Sequence, residues 1–283
     1  MRASGRCVCK CLLVVLALSS GAAAFAQRPV GTEPPGGIQP VSKDSTAPTP
    51  TTETVQQPVS KQEAKAIKAF RDAAPSDVDK KTQLGEDFIQ NYPQSRYRPE
   101  VVNWVARVYL TKAQVDKLQA EGEKELELTP SNPISLAVLG SNLARALNAN
   151  TPDLQKHLDQ AETYCKKSLE DLSTAKKPAD MSDDKFAEAK NQTSAVAYSG
   201  LGVVAFRRGK YTDAIPNLEQ AVKLSGGTDA VDYYILGKSN EAATNFDQAL
   251  AAYTKCAAMP GGMQAACQSS IQDVKAHGAV LPK

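Results

Sequence analysis

Beyond residue 26 the chain holds two histidines and three cysteines, the residues most often met in metal and thiol chemistry: His157, His277, Cys165, Cys256 and Cys267. Their spacing does not assemble a site. Neither histidine stands in an H-E-x-x-H pattern, and no two of these cysteines form C-x-x-C, so no metal-ligand set is expected. His157, beside Lys156 and Asp159, reads as a solvated helix residue rather than a general base. No G-x-S-x-G, P-loop or G-x-G-x-x-G is present. The glycine pairs at Gly36, Gly226 and Gly261 fall in a linker or at helix ends, which argues against a phosphate cradle. Glu121, Glu123, Glu125 and Glu127 resemble a carboxylate cluster. Alternate residues on a helix point in different directions, so the run reads as a solvated face. These residues imply no cofactor, no metal and no enzyme, with a site somewhere in the irregular region 147–194 as the remote alternative.

Cys256 and Cys267 are a different matter. They flank Pro260-Gly261-Gly262 at similar distances on consecutive helical segments, which sets them opposite each other in an antiparallel hairpin. A disulfide needs Cα atoms about 4.4–6.8 Å apart. The small neighbours Ala257, Ala265 and Ala266 allow that approach. The expectation is a Cys256–Cys267 bridge with Cys165 left as a free core residue; two buried, reduced thiols are the alternative.

The elements that would carry these residues are helical. The chain has 283 residues, of which 42% are hydrophobic and only 6% aromatic, a balance that favours helices over sheets. Its first 26 residues combine Arg2, Arg6 and Lys10 with an apolar run ending Ala24-Phe25-Ala26, the layout of a secretory signal peptide cut before Gln27. An uncleaved membrane anchor is the alternative, although Leu12 to Ala26 is short for a span of about 20 residues. Loss of those three cations takes the formal charge from +2 to −1, which removes the electrostatic case for nucleic acid. It also leaves three of the six cysteines, in a compartment that permits disulfides. The expected location is exported, periplasmic or extracellular, with no membrane span after cleavage.

Residues 27–60 are dominated by Pro, Thr, Gly and Ser, and read as a disordered linker. From Lys61 the apolar spacing is helical almost without interruption. Pro99 can start a helix, because its missing amide hydrogen is not needed there. Ser76 and Ser182 are candidate N-caps, and the helix from Ser182 is expected to run to Arg208. No segment reads as a strand, so the predicted class is all-α.

Two segments repeat. Tyr198, Leu201, Gly202, Tyr211, Ala214, Leu218 and Ala221 return 35 residues later as Tyr233, Leu236, Gly237, Phe246, Ala249, Tyr253 and Cys256. This pattern resembles the tetratricopeptide repeat family, a helix–turn–helix unit of about 34 residues. Weaker copies stand in register at Val105-Ala106 with Tyr109, and at Leu139-Gly140. In the copy at 133–177, Gly140 and Ala161 are 21 residues apart where Gly202 and Ala214 are 12, and the loop ANTPD is expected to hold the excess. The glycine of each first helix is expected to face the alanine of the second, Gly202 on Ala214 and Gly237 on Ala249, so that the axes approach closely.

The resemblance implies a right-handed α-solenoid of antiparallel helix pairs. Repeats would lie near 61–98, 99–132, 133–177, 195–229 and 230–263, with a C-terminal capping helix at 263–277. The segment YPQSRYRPEVVNWVARVY is similar to the N-terminal repeats of bacterial cell-envelope proteins of this family, including types associated with outer-membrane assembly and Tol-Pal. That resemblance implies a non-enzymatic scaffold for protein–protein interaction in the envelope, or an accessory factor in envelope biogenesis. Partners of the family usually lie on the concave face. Its positions here are Asn103, Arg107, Ser141, Arg145, Ser199, Phe206, Tyr234 and Lys238, a set suited to a protein or an extended, acidic peptide. No asparagine stands at the inner positions held by Arg107, Ser141, Val203 and Lys238, which disfavours the carboxylate clamp of chaperone-binding members.

Overall fold

The computed structural model describes residues 59–128, 131–179 and 181–278. The expected signal peptide and the linker up to Pro58 lie outside them. The described residues form eleven α-helices and no strand. In chain order these are α1 (Lys61–Asp72), α2 (Val78–Asn91), α3 (Arg98–Thr111), α4 (Val115–Glu127), α5 (Pro133–Ala146) and α6 (Leu154–Thr174). Then come α7 (Asp183–Arg207), α8 (Tyr211–Leu224), α9 (Ala230–Ala242), α10 (Phe246–Ala257) and α11 (Gln264–Ala276).

Local chemistry sets most boundaries. Ser60 caps α1 by accepting from the Glu63 amide at 3.0 Å, and Ser182 caps the 25-residue α7. At the start of α2 the cap is Asp77, not Ser76. Pro99 and Pro133 occupy first turns. Three turns between paired helices share one geometry. Ala113, Gly209 and Thr244 have φ of 51°, 71° and 63°. The next residue's amide then donates to the carbonyl five positions back: Gln114 to Tyr109 O, Lys210 to Ala205 O, and Asn245 to Asn240 O, at 2.8–2.9 Å. This closure satisfies carbonyls that the helix end would orphan. It also sets the start of α4 at Val115.

Helices pack as successive pairs α1/α2, α3/α4, α5/α6, α7/α8 and α9/α10, with α11 against α10 and α9. From α3 onward the first helices of the pairs also touch in sequence, α3 on α5, α5 on α7 and α7 on α9, while among the helices the α1 backbone comes close only to α2. Among the second helices only α4 and α6 are in contact within the described residues. A layer with continuous contacts beside one that splays is the arrangement of a stack curved toward the first layer. The fold is a tetratricopeptide-like all-α stack.

The close-packing joints differ in one detail from the expectation. A Cβ on Gly202 would lie 2.5 Å from Leu218 Cγ, and one on Gly237 would collide with the Tyr253 ring. Each glycine therefore makes room for the large residue one turn beyond the alanine. Ala214 and Ala249 are fully buried beside these contacts. In the α5/α6 pair, Gly140 meets Cys165 Sγ and the Ala161 carbonyl in the same way. The extra residues of that pair are not all loop. α6 begins seven residues before Ala161, whereas α8 begins three before Ala214, so a whole helical turn shares the excess.

Two charged readings are corrected by burial. Glu121 and Glu125, four residues apart, share one face of α4 and turn inward; Glu125 is fully buried. His157 is 8% exposed rather than solvated, and its Nδ1 has no hydrogen-bond partner.

Candidate protein-binding face

The eight inner-face positions divide into three groups. Asn103 and Arg107 are exposed on α3. Phe206, Tyr234 and Lys238 are half-buried on α7 and α9. The Phe206 ring centroid lies 5.7 Å from that of Tyr211, and Tyr234 lies 6.0 Å from Tyr253. Lys238 Nζ sits 3.0 Å from Glu241 Oε2 and 5.8 Å above the Tyr253 ring.

Of the remaining three, Ser141 and Ser199 are buried, which corrects the expectation that they meet a partner, and Arg145 is partly exposed but engaged within the stack. Ser141 is 5% exposed, and its backbone stands against Gly200 of α7, where an added Cβ would lie 3.0 Å from Ser141 Cα. Ser199 is 2% exposed. Its hydroxyl donates to Asp232 Oδ1 at 2.6 Å. Arg145 extends from α5 across α7 to α9. Its Nη2 lies 2.8 Å from Ser199 Oγ, 2.8 Å from Asp229 Oδ2 and 2.9 Å from Asp232 Oδ1. One side chain thus fastens three consecutive first-layer helices. Arg207 of α7 ties α7 back to α5, donating to the carbonyls of Ala144 and Arg145 at 2.8 and 3.1 Å.

Electrostatics follow from this enclosure. Burial alone would lower the Arg145 pKa, but Asp229 and Asp232 outweigh it and hold the pKa above the usual value. Burial raises the Asp232 carboxyl, and Arg145 offsets this only in part against the neighbouring Asp229 charge. Asp229 is lowered, because Arg145 and the amides it caps overcome its burial. Asp229 accepts from Val231 N at 2.8 Å and so also begins α9.

A second arginine lies deeper in the N-terminal half. Arg98 is 3% exposed. Its Nε donates to Glu125 Oε2 and its Nη2 to Glu121 Oε1, both at 2.7 Å, while Nη1 reaches Ile89 O at 3.1 Å. Glu125 Oε1 accepts from the Asn132 amide at 2.7 Å, linking the node to the start of α5. Arg98 and Glu121 form part of the wall of a recess of about 690 Å³ between α2, α3 and α4. Every charged group of this node has an internal partner.

Sequence reasoning missed Asp229, Asp232, Arg207, Arg98 and Glu125. Only Asp229 carried a signal, as an aspartate directly before a helix. The others depend on which helices become neighbours across 27 to 87 residues.

No protein-family model and no curated protein matches the sequence. Among solved structures, the crystal structure of TTC0263, a thermophilic TPR protein of Thermus thermophilus, is similar. The match covers 76% of this chain and 99% of that one, at 21% identity and a TM-score of 0.47. What identifies the architecture in this chain is its own helix pairing and recurring turn geometry.

Proposed function

We propose that this chain is an exported, non-enzymatic scaffold of a bacterial cell envelope that holds a protein or extended peptide against the inner face of its helical stack. The observation that carries the reading is the unbroken first layer α3–α5–α7–α9, three of whose helices Arg145 fixes at a set spacing. A surface with its geometry set before binding loses less entropy on association. Along that surface Asn103 and Arg107 offer polar contacts at one end, and Phe206 and Tyr234 offer aromatic ones beside Lys238 at the other. Export to the periplasm or exterior is supported by the basic and apolar N-terminal segment ending Ala24-Phe25-Ala26.

The test is a crosslinking pull-down from the native envelope with wild type and an Arg107→Glu/Lys238→Glu variant. Arg145 is left intact because it is paired with Asp229 and Asp232 and holds α5, α7 and α9 together. The expected result is loss of the main partner, with affinity falling about tenfold or more, and an unchanged thermal transition. Identical partner lists from the two proteins would overturn the inner-face reading.

A further inference from the structure

α11 occupies the place that the first helix of a further repeat would take, packing on α10 and α9 as α9 packs on α8 and α7. It is poorly equipped to hold that place by burial. Of its 13 residues only Cys267, Ser270 and Val274 are buried, against five of the 12 residues in α10. Val274 enters a small cluster with Ala249, Leu250 and Tyr253, which the partly buried Ile271 flanks. At the far end the His277 ring stacks on Phe246 at 4.9 Å. The connection from α10 contains Pro260-Gly261-Gly262, and nothing lies within 4 Å of where a Cβ on Gly261 would stand. So thin an apolar contact must offset the conformational entropy of ordering the whole helix.

The feature that compensates is the cysteine pair. Cys256 of α10 and Cys267 of α11 are both fully buried, with Cα atoms 6.0 Å apart and sulfurs at bonding distance. We propose that this pair is a redox-sensitive latch: oxidised, it clamps α11 onto the end of the stack, and reduced, it lets α11 leave. The reductant is a dithiol. One of its thiolates attacks a latch sulfur, the Cys256–Cys267 bond breaks, and a mixed disulfide forms. The second thiol of the reductant then displaces the remaining cysteine and closes a cyclic disulfide. Two electrons pass to the protein, which ends with two thiols. Because both sulfurs are fully buried, attack requires prior fraying of α11. Opening takes Val274 and Ile271 away from Ala249, Leu250 and Tyr253, while the Arg145 and Arg98 nodes lie in other helices and are untouched.

The latch is tested on the full chain purified without reductant. Thiol labelling in denaturant followed by peptide mapping is expected to label Cys165 and leave Cys256 and Cys267 unlabelled; labelling of all three would overturn the pairing. Amide hydrogen exchange is then compared with and without dithiothreitol, and in a Cys256→Ser/Cys267→Ser variant. Closing a loop of 11 residues' separation corresponds to about a 100-fold change in the opening equilibrium. Exchange across 264–276 is therefore expected to quicken by about that factor on reduction and in the variant, with α5–α7 unchanged. Unaltered exchange in α11 would overturn the latch. So would loss of protection throughout the chain, since a latch acts on α11 alone.

Discussion

The two arginine nodes use the same chemistry for different ends. Arg98 joins groups near in sequence, on α3, α4, the end of α2 and the start of α5, beside a recess on the side of the second-layer helices. Arg145 joins groups 54 to 87 residues away, on three first-layer helices. The first node is closed: Arg98 and Glu125 have side-chain exposures of 3% and 0%. The second is partly open, with Arg145 at 22% and Asp229 at 35%. A closed node contributes to the stability of one helix pair and its connections. An open one, spanning repeats, fixes the spacing of the surface on which a partner would lie.

The difference is broken most severely at Arg98. Arg98→Met leaves Glu125 buried without a counter-charge and Glu121 with only the exposed Lys124 at 3.7 Å, and chemical denaturation is expected to show a loss of about 3–5 kcal/mol. Arg145→Met leaves Asp232 enclosed but Asp229 in reach of water, so the expected loss is nearer to about 2 kcal/mol. Equal losses would dissolve the distinction between closed and open nodes.

A smaller effect comes from pH. Asp229 is lowered by Arg145, so its contribution is present above the ordinary aspartate range and lost as pH falls through and below about 4. Asp232, raised by burial, works in the opposite direction: its ionised form is penalised, so its own contribution falls as pH rises. In Asp229→Asn the melting temperature is therefore expected to be lower at pH 7 but to fall less steeply on acidification than in wild type. Parallel curves would show that the carboxylate is not carrying the node.

The smallest effect lies outside both nodes and measures the turns that space the pairs. Thr244 holds φ of 63°, a conformation costly for a β-branched residue. Thr244→Gly is expected to stabilise the chain by about 1 kcal/mol, read as a rise of a few degrees in melting temperature. No rise would mean that the threonine side chain repays the strain.

What the sequence made legible was periodic and local. The recurrence of Tyr198, Leu201 and Gly202 at Tyr233, Leu236 and Gly237 located the last two helix pairs, and Ser182 marked the start of α7. The left-handed glycines at 226 and 227 end α8 as their type suggested. What stayed hidden was which polar groups turn inward. Glu121 and Glu125 sit among two further glutamates on an acidic helix, and nothing in that run shows which face meets Arg98. Ser141 and Ser199 fail for a related reason. They occupy inner-face positions of the repeat, but small residues there let α5 and α7 close until no space remains for a partner. Repeat register assigns a direction to a side chain and leaves open the distance to the next helix.

Cys165 has a consequence for covalent pairing. The three cysteines among the described residues could pair in three ways. Cys165 lies fully buried where both Gly140 and Gly200 come close, and burial pushes its thiol up to about 12. A thiol held protonated and out of contact neither attacks nor is attacked. Of the three possible pairings, two are thereby closed while α5, α6 and α7 stay together. In its covalent chemistry the described region, with its three cysteines, then behaves as if it had only two.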